Sequence, residues 1–250
     1  MSAIRLTMVG TGDAFGTGGR AHTCLRLDAG GSTIVVDFGA SALSSWKKLG
    51  FSTNGIDAVI VSHLHGDHFG GLPFLLLECQ FVARRRRPLL IFGPPGLRAR
   101  LDMALEAMFP GSSALHWTFS WQAVDIRPGE PAFVANFRLD TFEVVHPSGA
   151  PATAVRVEGD NRIFGYSGDT SWTSNLVEAA RGADLFVIEC YSGYQPAHAH
   201  IDWPTLLDRM PSLEARKIVV THMSESAMAR DRDMRAAGCV PAHDGLVVEF

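Results

Sequence analysis

The sequence predicts an α/β fold built as a sandwich of two sheets, and three observations carry that prediction. Short apolar runs come first and then alternate with helix-length stretches, and this layout occurs twice along the chain. The stretch His63-Leu64-His65-Gly66-Asp67-His68 separates the apolar run Ala58-Val59-Ile60-Val61 from a longer one between Gly71 and Val82, as where a strand hands over to a helix. No linker-like segment interrupts the 250 residues, so 1–250 read as one domain. The two halves share a layout and no evident sequence repeat.

Each element follows from local pattern. Ile4, Leu6 and Met8 alternate with polar residues and meet Gly10-Thr11-Gly12-Asp13, a strand ending in a turn. The glycine-rich loop Gly16-Thr17-Gly18-Gly19 has no following lysine and no phosphate-loop spacing, which argues against a nucleotide cradle. Residues 23–27 and 33–37 form a hairpin across Ala29-Gly30-Gly31-Ser32. Asp37 closes that hairpin, where it either caps a helix near residues 41–49 or orients a metal-binding histidine. A helix over residues 72–82 leads into Arg84-Arg85-Arg86-Arg87, read as a solvated helix end. The alternative is a patch that steers an anionic substrate.

Residues 88–92 form a buried strand, and Pro94-Pro95-Gly96 opens a helix reaching Met108. Trp117, Phe119 and Trp121 alternate, as in a pocket wall, a dimer contact or a hairpin packed on the core. His116, beside them, reads as structural or incidental. A strand over 137–145 ends at His146, and strands 152–157 and 162–166 flank the turn Glu158-Gly159-Asp160-Asn161. Ser167-Gly168-Asp169-Thr170 precedes a helix over 171–181, and residues 184–189 are an apolar run ending in Glu189. Asp202 caps a helix to about 216. A strand from 217 ends in His222, a helix spans 224–237, and 242–250 close the chain with a strand.

Composition narrows the class. Hydrophobic residues at 46% with 19% charged exclude a disordered chain. A net charge of −4 gives no general attraction to nucleic acid or to an anionic membrane. Cys24, Cys79, Cys190 and Cys239 are scattered without a CxxC pair, as buried reduced thiols of a cytoplasmic protein would be. The segment from Met1 to Gly10 has no signal-peptide layout, and no apolar run approaches a membrane span. A cytoplasmic location is the expectation.

Three imidazoles and a carboxylate within six residues supply the nitrogen and oxygen donors that Zn²⁺ accepts. His63 and His65 project to one side of an extended backbone. Gly66 permits a sharp turn, which would bring Asp67 and His68 to a helix start where negative charge is favoured.

This His-x-His-x-Asp-His after an apolar strand resembles the signature of the metallo-β-lactamase superfamily of dinuclear metallohydrolases. The resemblance implies a four-layer αββα sandwich with two divalent metal ions at the open edge between its sheets. It also demands a downstream His, a bridging Asp and a last His. His146, Asp169 and His222 stand in that order, each where a strand meets a loop. Carried over, His63, His65 and His146 hold one ion, Asp67, His68 and His222 hold the second, and Asp169 bridges them. Zinc is the expected metal, with manganese as the alternative.

Shorter motifs, Tyr166-Ser-Gly-Asp-Thr170, Gly182 to Glu189, Ala199-His200 and Val220-Thr-His-Met-Ser224, resemble the ribonuclease Z-like branch, which includes phosphoribosyl cyclic phosphodiesterases. The opening Gly10-Thr-Gly-Asp-Ala14 and the closing Ala242-His-Asp-Gly245 agree with it. That branch implies a glutamate paired with a histidine beyond the metal ligands, here Glu189 and His200; His198 fits the pattern less well. Asp67, Glu189 and His200 are the catalytic candidates. Only 22 residues separate His146 from Asp169, so the long arm that grips transfer RNA in this branch is missing from that interval.

The expected activity is hydrolysis of a small or cyclic phosphodiester through a metal-bridging hydroxide, with His200 protonating the leaving oxygen. A lactonase, esterase or thioesterase of the same fold is the alternative. A tRNA 3′-processing endonuclease and a non-catalytic metal-binding module rank below it. The partner is a small anionic substrate, neither nucleic acid nor membrane, and family analogy admits a homodimer.

Overall fold

The computed structural model describes residues 4–250. Residues 1–3, part of the segment with no signal-peptide layout, lie outside the described residues. The first half of the chain gives β1 (Arg5–Gly10), β2 (Cys24–Ala29), β3 (Ser32–Val36), α1 (Ala42–Lys48), β4 (Ala58–Ile60), α2 (Gly66–Phe69), α3 (Leu72–Phe81), β5 (Leu89–Gly93), α4 (Leu97–Met108) and β6 (Trp121–Asp125). The second gives β7 (Ala132–Val134), β8 (Phe137–Val144), β9 (Ala152–Gly159), β10 (Arg162–Tyr166), α5 (Asn175–Ala180), β11 (Leu185–Glu189), α6 (Trp203–Arg209), β12 (Ile218–Thr221), α7 (Glu225–Met228), α8 (Asp231–Ala236), β13 (Val240–Pro241) and β14 (Val247–Glu249).

Two seven-stranded sheets result, ordered β14-β1-β2-β3-β4-β5-β6 and β13-β12-β11-β10-β9-β8-β7. Both are mixed, with β3 to β6 parallel in the first and β10 to β13 parallel in the second. Period-two alternation divides the side chains between layers. Leu25, Leu27, Ile34, Val36, Val155, Val157, Leu185 and Val187 join one core between the sheets. Their neighbours face outward: Cys24, Val35 and Val59 meet the side chains of α1, α3 and α4, and Phe186, Ile188 and Val220 meet those of α5, α6 and α8. The result is the four-layer αββα sandwich.

Both hairpins turn as their residues dictate. Gly30 and Gly31 take positive φ between β2 and β3, and Asp160 and Asn161 do so between β9 and β10. Two left-handed residues in succession match the right-handed twist of the flanking strands. All four cysteines are free and buried. No helix among the described residues is long and apolar enough to cross a membrane.

Several expectations need correction. The 171–181 helix begins only at Asn175, because Ser171 pairs with Val145 as a bridge. The 202–216 helix ends at Arg209 and tightens into a 3₁₀ turn over Met210–Leu213, where Pro211 offers no N–H. The 224–237 helix breaks into α7 and α8 around Arg230, whose guanidinium reaches the Gly193 carbonyl. Of the readings of the aromatic stretch, the hairpin fails and the pocket wall holds: a 3₁₀ turn precedes β6, Phe119 is buried, and Trp117 and Trp121, edge-on to each other, line a cavity beside α4. β7 has too few residues to announce itself.

The arginine run is neither a uniformly solvated end nor a patch at the metal-binding edge. Arg84, Arg86 and Arg87 are exposed, with Arg87 paired to Asp57, but Arg85 is 1% exposed. Its guanidinium donates to the carbonyls of Thr53, Asn54, Ile56, Arg87 and Pro88, tying the loop before β4 to the one before β5. Arg85→Ala would strip a donor from each of those carbonyls and empty a buried site. Chemical denaturation is expected to register a loss of about 2–4 kcal/mol for Arg85→Ala and less than about 0.5 for Arg86→Ala.

Candidate metal centre

Strand ends from both sheets converge on one edge of the sandwich. β10, β11 and β12 run parallel, and β8 points the same way because both it and β10 are antiparallel to β9. Their carboxyl ends deliver Asp169, Glu189, His222 and His146, and the ends of β3 and β4 deliver Asp37 and His63. Functional groups gather at such ends because loops there are free of ladder hydrogen bonding.

The His-x-His-x-Asp-His stretch is held from below. The Ser62 amide and hydroxyl both donate to Asp37, at 2.7 and 2.8 Å. Phe38 N–H bonds to the His68 carbonyl, and Ala40 N–H to that of Gly66. Gly39 passes so close to the Asp67 carbonyl that a Cβ would sit 2.1 Å from its oxygen. Gly66 opens α2 without a positive φ, and Asp67 and His68 stand at that helix start. Asp37 does not cap α1. Its Oδ2 lies 2.7 Å from His68 Nδ1, which turns His68 Nε2 toward the cluster.

Besides two sets that include His200, one with His146 and Asp169 and one with Glu189 and His222, the donors form two main groups, each with ligand atoms within 4.8 Å of one another: His63, His65 and His146, and Asp67, His68, Asp169 and His222. Asp169 Oδ2 stands between them, 3.8 Å from His63 Nε2, 3.9 Å from His146 Nε2, 3.2 Å from His68 Nε2 and 3.3 Å from His222 Nε2. His65 Nδ1 approaches His146 Nε2 at 3.0 Å, and His146 Nδ1 donates to the Ala199 carbonyl at 2.9 Å. All seven residues named from the sequence are brought together. Asp37, Ala199 and His222 each hold a left-handed φ near 60°; such non-glycine residues concentrate where surrounding structure enforces them.

Electrostatics distinguish the members. Burial holds His63 and His146 well toward the neutral ring. Burial also opposes ionisation of Asp67 and Asp169, but the adjacent imidazoles outweigh it and keep both carboxyls far below their usual range. For His222, burial favours the neutral ring, Asp169 outweighs it, and the pKa is pushed up to about 9. The carboxylates therefore require positive charge beside them. His63 Nε2, His68 Nε2 and Asp169 Oδ1 are buried without a hydrogen-bond partner. A divalent cation satisfies those lone pairs and that charge together, so the donors fit the group they were expected to hold.

Glu189 and His200 stand beside the cluster. Glu189 is fully buried; its Oε1 accepts from Thr170 N–H at 2.9 Å and from His200 Nδ1 at 2.8 Å. The His200 ring lies near-parallel to both Tyr191 and His222, with centroid separations of 4.9 and 5.4 Å, and those two rings are 6.2 Å from each other. A cavity of about 410 Å³ opens over these groups, lined by the cluster, His198, Ala197 and Tyr191, and by Ala14 and Phe15 from the glycine-rich loop. Phe15 and Tyr191 lie in loops, and nothing in the sequence around either marks it as part of a site. His116 lies away from the cavity, its carbonyl accepting from Gln80.

Fold and cluster together define a class: a protein of the metallo-β-lactamase fold with a His/Asp cluster able to hold metal ions. The metallo-β-lactamase fold protein YhfI of Bacillus subtilis superposes with a TM-score of 0.81 over the whole of both chains at 20% identity. The profile of the Anti-Pycsar protein Apyc1 family matches residues 4–244, and the chain belongs to that family. It is 30% identical over 179 residues to the Anti-Pycsar protein Apyc1 of Paenibacillus sp. strain J14, across 70% of each chain. It is 24% identical to the ribonuclease Z of Lachnoclostridium phytofermentans, across 93% of this chain and 91% of that one. The ribonuclease Z-like resemblance of the short motifs is thereby borne out.

If Asp37 orients His68, Asp37→Asn should weaken metal binding roughly 10–100-fold, the usual worth of such a partner. Competition against a chromophoric chelator measures it. Wild-type affinity in the variant would remove Asp37 from the centre.

Proposed function

We propose that the protein is a dinuclear metal-dependent phosphodiesterase acting on a small or cyclic phosphodiester, with zinc as its metal. The observation that carries this reading is the Glu189–His200 pair beside the cluster, since metal ligands alone would serve many hydrolases. In this reading His63, His65 and His146 hold one ion, Asp67, His68 and His222 the other, and Asp169 touches both. Bound ions supply Lewis acidity toward a phosphoryl oxygen and make water acidic enough to attack at neutral pH.

The chain's own groups do the rest. Glu189 accepts from His200 Nδ1, which leaves Nε2 as the ring atom able to meet substrate. Burial disfavours the charged ring, but the bond to Glu189 outweighs it and holds the His200 pKa above its ordinary value. His200 thus keeps a proton for the departing alkoxide. Tyr191 and His222 fix the ring by stacking on it. The cavity of about 410 Å³ suits a small substrate rather than a helical duplex.

A second reading, a nuclease of the ribonuclease Z kind, draws on the relatives of that name. Against it stand the net charge of −4 and the short His146–Asp169 interval, which β9, β10 and their turn occupy. Metal analysis with a substrate panel separates the readings. Two transition-metal ions per chain are expected, with turnover of bis-aryl and cyclic phosphodiesters, poor cleavage of precursor tRNA and loss of activity in Asp169→Ala. Efficient tRNA 3′ processing, or greater turnover of lactones or thioesters, would replace the proposal.

A further outcome concerns His200 itself. His200→Ala should retain its metals and lose roughly 10²–10⁴-fold in rate on substrates with poor alkoxide leaving groups. The loss should be small for nitrophenolate, which departs without a proton, and Glu189→Gln should show a weaker form of the same pattern. Equal losses on both leaving groups would reduce His200 to a positioning residue.

A further inference from the structure

The metal cavity has a polar floor and a mostly apolar rim. Ligand histidines and carboxylates with His200 form the floor, whereas Ala14, Phe15, Tyr191, Ala197 and one further imidazole, His198, make up the rest of the lining. Among the described residues, no arginine or lysine lines it. The reacting anion is met below by the metal centre and His200, so the non-reacting part of a substrate meets mostly carbon.

Phe15 stands out on that rim. It is 83% exposed, the most exposed of the large apolar side chains among the described residues. A single exposed phenylalanine needs no explanation, but this one is held in place at the mouth of the cavity. The Asp13 carboxylate is buried beneath it and accepts from the Phe15 amide at 3.1 Å, the Thr17 amide at 2.9 Å and the Thr17 hydroxyl at 2.6 Å. Gly12 N–H binds the Ala21 carbonyl across the base of the loop, and Gly16, Gly18 and Gly19 complete the turn with positive φ. The loop thus spends a buried carboxylate on fixing backbone around a ring that packs on nothing.

We propose that Phe15 is a specificity-determining residue that stacks on a planar ring carried by the phosphoryl group bound at the metal centre. The inference takes from the proposed function only that a phosphoryl group sits there. Phe15 contributes apolar face without charge, so it selects by shape and polarisability and favours an aromatic substituent over an alkyl one.

Binding of phenylphosphonate and methylphosphonate to the metal-loaded protein, measured by calorimetry at a pH where both are dianions, tests it. The two probes differ only in the ring. Wild type should prefer the phenyl probe, Phe15→Ala should lower that preference about tenfold, the worth of one aromatic contact, and Phe15→Trp should keep it. Phe133→Ala, which removes another exposed phenylalanine outside the cavity, should leave the ratio as in wild type. An unchanged ratio in Phe15→Ala, no phenyl preference in wild type, or no binding of the phenyl probe would overturn the proposal. Neither probe contains a cleavable ester. A protein that hydrolyses no phosphodiester yet shows the Phe15-dependent ratio keeps this inference and loses the proposed function.

Discussion

Two carboxylates, Asp67 and Asp169, are buried against the same pair of imidazoles, and the site is arranged around that concentration of charge. A carboxylate removed from water must find positive charge or hydrogen bonds, or else protonate. Here the backbone supplies little, because the groups sit where strands have ended and ladders have stopped. Compensation must come from side chains or from a cation held between them. Imidazolium can serve, but two protonated rings a few ångströms apart repel. Divalent ions relieve both problems at once. The cluster is consequently a poor element of stability by itself and a good receptacle.

Such a receptacle requires a rigid surround, and the surround is expensive in local conformation. Asp37 and His222 adopt left-handed backbone beside the centre, and Ala199 does so where its carbonyl accepts a hydrogen bond from His146. Each is pinned by a long-range bond: Asp37 N–H to Ile60, His222 N–H to Thr11, His146 to Ala199. Close backbone contact at Gly39 completes the support. Strain of order 1–3 kcal/mol per such residue is tolerated only because the two sheets over-determine the positions.

Much of this was readable beforehand, and the reasons for success and failure are physical. The metal ligands were legible because their chemistry is carried by residue type and local spacing, and because His146, Asp169 and His222 each follow a strand, alternating before His146 and continuously buried before His222. The strands of both sheet centres were legible for the same reason. Asp37 was only half legible: a carboxylate at a strand end serves equally as a cap or as a partner of histidine, and tertiary placement chose the latter. Arg85 was misread because an arginine run looks alike whether its members point to water or into a knot of carbonyls. Phe15 and Tyr191 were passed over since an aromatic residue in a loop announces nothing until a cavity forms beside it.

The distribution of the ligands along the chain has a consequence for how the molecule is made. His63 to His68 are synthesised early, Asp169 and His222 much later, and β1 finds its partner β14 only when Val247–Glu249 has emerged. Contacts this distant in sequence form slowly, after long loops have been closed. A nascent chain therefore exposes half of a chelating site for most of its synthesis, with no means of completing it. Ions acquired in that interval would be held by the four early donors alone and exchange readily. Secure loading belongs to the finished fold, where a bound ion would act as a latch across two sheets that have already met.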